Sequence, residues 1–141
     1  MSTSAQIRVK GSDVLIYKHY DGYPSDVLPV LKDILSRYIK ERGPRDYEYA
    51  TAQIMRKFAR EDEERRKQFE DNDFGADKPR LTGWGLGTRL HGDIRYFYEI
   101  DLKERKIIVK EPNLEFWDSG DEDDLETTRE IDIIEDGVKN E

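Results

Sequence analysis

The sequence predicts an α+β fold: an antiparallel sheet in the order β-β-α-α-β-β-β with two helices packed on one face. Three observations carry this. Two short apolar segments split by a glycine turn open the chain, two stretches with helical apolar spacing follow, and an alternating segment with a return partner comes after them. The 141 residues suffice for one domain, and with no cysteine it must fold without disulfides.

Residues 6–10 and 14–20 read as strands, joined by Gly11-Ser12 as a tight two-residue turn. Val14-Leu-Ile-Tyr17 is apolar on both faces, which places the second strand inside the sheet. Asp21-Gly22 then turns the chain, and Pro24 stops the ladder. A helix capped by Ser25 or Asp26 follows, with Pro29 in its first turn, where a missing N–H matters least. Val27, Leu31, Ile34, Leu35 and Tyr38 form its apolar stripe, and Gly43-Pro44 ends it. A second helix starts near Asp46 and buries Tyr47, Ala50, Ile54, Met55 and Phe58. Residues 60–67 carry no apolar side chain, so this helix runs out into solvent and frays before Asn72. Its i,i+4 ion pairs are worth a few tenths of a kcal/mol each, roughly.

Residues 73–79 read as loop and residues 81–90 as an irregular, glycine-rich strand. Ile94, Tyr96, Tyr98, Ile100 and Leu102 alternate along one strand face; residues 103–106 turn, and residues 107–109 return as the hairpin partner. For Ile131-Asp-Ile-Ile134 an edge strand, a helical turn and no regular structure all stay open.

Hydrophobic residues make up 35% of the chain and charged residues 40%, a thin core supply that the 11% of aromatic residues partly offsets. A Lys/Arg/Glu-rich shell without cysteine is also a pattern of hyperthermophile proteins. The net charge of −8 is unevenly divided: residues 111–141 hold 13 acidic and 2 basic residues, leaving 19 acidic and 22 basic in residues 1–110. The expected layout is therefore a single domain over 1–112, slightly basic, with an acidic tail over 113–141. The tail is expected to be partly disordered or packed on the domain edge, as a solvated segment or as a polyanion-like contact. Met1-Ser-Thr-Ser-Ala-Gln6 has neither a basic start nor an apolar stretch, and no apolar run approaches a membrane span. A cytoplasmic protein without membrane contact is the expectation.

The chain has two histidines, and both sit in one local pattern, His19-Tyr-Asp21 and His91-Gly-Asp93. In an extended chain, residues two apart project to the same face. If the two segments are neighbours, His19, Asp21, His91 and Asp93 converge as two imidazoles and two carboxylates, a donor set for divalent Zn, Mn or Fe. Without metal, a histidine oriented by a carboxylate is a general base. A purely structural role also fits, since Asp21 and Asp93 adjoin Gly22 and Gly92 and can shape turns. Gly83-Trp-Gly-Leu-Gly87 is no phosphate loop: no helix follows it, it lacks a Gly-Lys-Ser/Thr, and Trp84 occupies its interior. Arg80, Arg89 and Arg95 beside Trp84, Tyr96 and Tyr98 would suit single-stranded nucleic acid, but the weakly basic body and the acidic tail oppose it. Neither histidine accompanies a serine in a recognisable nucleophile turn.

Residues 17–24, Tyr-Lys-His-Tyr-Asp-Gly-Tyr-Pro, together with His91-Gly-Asp-Ile-Arg-Tyr96, resemble a group of short proteins of unknown function from phages, mobile elements and archaea. These share an early Tyr-x-His-x-Asp-Gly-Tyr-Pro motif and a late His-Gly-Asp segment, and the resemblance covers roughly residues 5–110. It implies no activity, but it does imply that the two histidine segments belong together. The company of mobile elements points to a small regulatory or host-interacting protein. The expectation is thus a non-enzymatic binding module with a protein partner. Its contact surface takes in His19, Asp21, Gly22, Tyr23, Trp84, Arg89, His91 and Asp93. A metal-dependent hydrolase using the two His/Asp pairs and a single-strand-binding protein are the alternatives.

Overall fold

The structure, a computed structural model, describes residues 3–70 and 83–134. In chain order its elements are β1 (Ala5–Val9), β2 (Leu15–Lys18), α1 (Pro24–Arg42), α2 (Tyr47–Glu70), β3 (Trp84–Gly87), β4 (Tyr96–Asp101), β5 (Lys106–Pro112), α3 (Phe116–Ser119), a 3₁₀ turn (Glu122–Asp124) and β6 (Leu125–Asp132). The strands form one six-stranded sheet in the order β3-β2-β1-β4-β5-β6. The α+β class is as expected, but the sheet is mixed. β1 and β4 run parallel, with Ala5 opposite Tyr96 and Val9 opposite Ile100, while the other neighbours are antiparallel. A parallel pair needs a long crossover, and here β2, both long helices and β3 lie between the two strands in sequence.

Local signals account for most elements. The β1–β2 pairing holds, but the strands end at Val9 and resume at Leu15, so the connection is wider than a two-residue turn. Gly11 at φ 105° and the Ser12 N–H bonded to the Val9 carbonyl close it. α1 begins at Pro24 with Tyr23 as N-cap, ahead of the expected caps Ser25 and Asp26, and without a side-chain cap bond. Pro24 is thus the first helical residue, where proline's fixed φ suits entry. Pro29 lies beyond the first turn, and its missing N–H leaves the Ser25 carbonyl without its usual helical partner. Gly43, at φ 81°, ends α1 by donating its N–H to the Ile39 carbonyl.

Both long helices cover one face of the sheet. Val27, Leu31 and Leu35 of α1 and Ala50, Ile54 and Phe58 of α2 pack on Ile7, Ile16, Tyr98, Ile100 and Val109. Tyr47, expected in this core, is 45% exposed, with its ring against Gly11. On the opposite face a smaller cluster joins Leu15, Ile94, Phe97, Phe116 and Leu125. Ile94 therefore does not share the helix-side face with Tyr98 and Ile100, because the regular strand begins only at Tyr96. The loop predicted over 73–79, and the ends of the chain at 1–2 and 135–141, lie outside the described residues. No helix among the described residues is long and apolar enough to cross a membrane.

Residues 113–134 of the acidic segment have defined structure. β6 pairs with β5 from Leu125 opposite Pro112 to Asp132 opposite Lys106, with an irregularity between Val109 and Lys110. Phe116 and Ile133 are buried, one on each side of the sheet. Arg8 donates to both carboxylate oxygens of Glu122 and also to Glu99, whose other oxygen accepts from Lys110 Nζ at 3.3 Å. Two-point Arg–carboxylate contact gives direction as well as energy. The hydrogen bond from Arg8 holds the Glu122 carboxyl below its ordinary range, and burial opposes it.

Two predictions follow from this docking. Phe116→Ala should lower unfolding free energy by about 3 kcal/mol or more in a denaturant titration; a loss below about 1 kcal/mol would mean that the ring is not a core anchor. A depressed folded-state pKa gives stability that is present above the unfolded value and lost as pH falls through the folded one. Glu122→Gln should therefore lower the melting temperature at neutral pH, and the difference from the native chain should shrink below about pH 4. A difference unchanged by acid would count against the Arg8 contact.

Candidate functional site

The two histidine segments meet at Tyr17. β2 alternates across the sheet, so Ile16 and Lys18 face the helices while Leu15 and Tyr17 face the opposite side. The Tyr17 ring stacks on His91 with centroids 4.4 Å apart and an interplanar angle of 20°. Its hydroxyl lies 3.2 Å from Nδ1 of His19. Both imidazoles are exposed. The neighbouring strand leaves room beside Tyr17 because its register partner is Gly85, and Leu15 likewise faces Gly87.

Each histidine is positioned through its backbone. The His19 N–H donates to the Gly83 carbonyl at 2.8 Å, continuing the β2–β3 ladder by one rung. The His91 N–H donates to Oε1 of Gln6 at 2.8 Å, and Nε2 of Gln6 donates to the Arg89 carbonyl at 3.0 Å. Gln6 is 1% exposed, so its amide is a buried clamp tying residues 89–91 to β1. Nothing in the sequence singled it out, since a lone glutamine in a strand has no local signature.

The other expected residues divide between the two faces. Asp21 does not join His19: at φ 57° it turns the chain, so the i,i+2 geometry of a strand is lost, and its carboxylate pairs with Arg65 of α2 at 3.3 Å. Both partners are largely exposed, and such a pair contributes little. Gly22 is structural. A Cβ there would come within 2.8 Å of the Ala5 side chain and the Thr3 carbonyl, and the Gly22 carbonyl accepts the buried Tyr98 hydroxyl at 2.6 Å. Tyr23 is 49% exposed beside Tyr96. Asp93 and Arg89 are exposed, and each is held through its backbone carbonyl, by Ser4 and Gln6 respectively. Among the described residues no three histidine, aspartate or glutamate side chains are grouped to hold a metal.

Trp84 lies on the helix side, opposite Lys18, where it packs on Phe58 and donates to Asp62 at 2.6 Å. Lys18 is the least expected feature here. It is 5% exposed, and its ammonium sits 4.6 Å from the Trp84 ring, 5.4 Å from Tyr20 and 5.8 Å from Phe58. Ring faces attract a cation, yet burial still pushes Lys18 below the ordinary lysine range, with Asp62 and Asp21 opposing the shift. In the sequence it reads as one more charged residue of a strand end.

With its folded pKa below the unfolded one, Lys18 holds fewer protons in the folded state, so this group's contribution to stability rises with pH toward the unfolded value near about 10.4. Lys18→Met should then be more stable than the native chain at pH 7, and that advantage should narrow at pH 9.5, read from urea midpoints. No advantage at pH 7 would mean that the three rings outweigh desolvation.

In comparisons with known proteins, this chain matches no family model, no curated protein and no solved structure.

Proposed function

We propose that this protein is a small non-enzymatic binding module whose contact surface centres on Tyr17, His19 and His91. The observation that supports this reading is the half-buried Tyr17 ring, which brings the two exposed imidazoles into one patch. Aromatic and histidine side chains offer flat apolar area with polar tips, the composition of protein contact surfaces. The partner in this reading is a protein. A hydrolytic centre would need carboxylates beside the imidazoles, but Asp21 is turned to Arg65. Single-stranded nucleic acid fits less well, because Arg8 and Lys110 on the same sheet face are already paired with Glu99 and Glu122.

The test is capture from an extract of the source organism by the immobilised chain, compared with a His19→Ala, His91→Ala double variant. Both histidines are exposed, so the double variant should melt within a few degrees of the native chain. A protein retained by the native chain and lost by the variant is the expected result. Equal retention would move the contact surface elsewhere. Melts of EDTA-treated protein with Zn²⁺, Mn²⁺ or Mg²⁺ address the rival directly: a metal-specific rise of about 5 °C that disappears in His19→Ala would put the metal-dependent enzyme first.

A further inference from the structure

The acidic segment between β5 and β6 carries a second surface, apart from the histidine patch. Phe116 of α3 is fully buried, but the residues around it point two large apolar side chains outward: Leu114 is 83% exposed and Trp117 is 46% exposed. Isolated exposed apolar residues are ordinary. Here they sit on a built platform. The Asn113 side chain accepts from the Phe116 N–H at 3.1 Å, and Gly120, at φ 64°, donates its N–H to the Phe116 carbonyl at 2.8 Å. Ser119 Oγ donates to Asp124 at 2.6 Å, Asp121 accepts from the Asp123 N–H at 3.1 Å, and Arg8 grips Glu122. A loop fixed in this way loses little further conformational freedom on binding.

The charge around the pair is of one sign. From Glu111 to Thr128 the sequence has no lysine or arginine, and Glu115, Asp118, Asp121 and Asp123 are all exposed. An anionic lipid surface or a polyanion would be repelled. We infer that Leu114 and Trp117 form a docking surface for a cationic amphipathic helix of another protein, whose apolar stripe covers the two side chains while flanking lysines or arginines meet the carboxylates. Tryptophan is among the residues that dominate such contacts, and charge complementarity sets the partner's sign.

The test uses the full chain and two synthetic helical peptides of equal positive charge, one with leucines along one face and lysines beside them, the other with those leucines replaced by serine. Binding is read by fluorescence anisotropy of the labelled peptide. The leucine peptide should bind at least about tenfold tighter than the serine peptide, and Leu114→Ser and Trp117→Ser should each weaken it by about tenfold or more. Leu114 is exposed, so the Leu114→Ser melt should superimpose on that of the native chain. Trp117 is only 46% exposed and edge-on to Phe116, so its variant is compared at a temperature well below its own melt. Equal binding of the two peptides, no binding of either, or variants that bind like the native chain would each overturn the inference. So would a concentration-dependent shift in size-exclusion chromatography that is lost in Trp117→Ser, since the surface would then belong to a second copy.

Discussion

The parallel pairing of β1 with β4 is the constraint on which the rest of the molecule depends. Because parallel neighbours cannot be joined by a tight turn, other elements must intervene: after β2 the chain makes an excursion from the sheet, returns beside β2 as β3, and reaches the far side of β1 only with β4. α1 and α2 occupy that excursion, and both lie on one face. β1 is thereby flanked by β2 and β4, and its alternate residues serve two layers. Ala5, Ile7 and Val9 enter the core beneath the helices, while Gln6 and Arg8 face the other way. Those two polar residues organise the face away from the long helices. Gln6 holds residues 89–91 against the strand, and Arg8 reaches across to Glu99 of β4 and on to Glu122. The histidine patch and the acidic platform both rest on bonds made by one central strand.

What the sequence made legible was whatever depends on local spacing. The stripe Val27, Leu31, Leu35 and Tyr38 and the stripe Ala50, Ile54 and Phe58 are buried as the 3.6-residue period requires. The β4–β5 hairpin follows from alternation plus a charged turn. Strand direction was not legible, because β4 has the same period whether it runs parallel or antiparallel to β1. Nor was the site's division by the sheet. Trp84 and Tyr17 lie close in the β2–β3 ladder, yet one faces the helices and the other does not, a difference set by a single step of register. Asp21 was misplaced for a different reason: the i,i+2 argument assumes extended backbone, and the left-handed φ of Asp21 ends that assumption.

Composition says least about residues 113–134. Averaged over the segment, charge points to a solvated tail. A few apolar residues at the right intervals override the average: Phe116 and Leu125 on one face, Ile133 on the other, and the β5 ladder between them. The carboxylates do not oppose this, because β6 is an edge strand whose residues 126–130 are exposed. Charge on an edge strand also guards it against pairing with other chains. Glu122 is the exception, drawn in by Arg8 rather than repelled.

Residues 17–24 separate into parts once they are laid on this frame. Lys18 faces inward and is enclosed by aromatic rings, one of them that of the exposed Tyr20. Gly22 is required by the close approach of the Ala5 side chain and the Thr3 carbonyl, and Tyr23 and Pro24 launch α1. Asp21 takes the turn between them. Packing and backbone geometry are therefore reason enough for most of these positions. Tyr17 and His19 are different. Their side chains reach the face away from the long helices, where Tyr17 packs beside the smaller core cluster and joins exposed His19 and His91 through its hydroxyl and its ring.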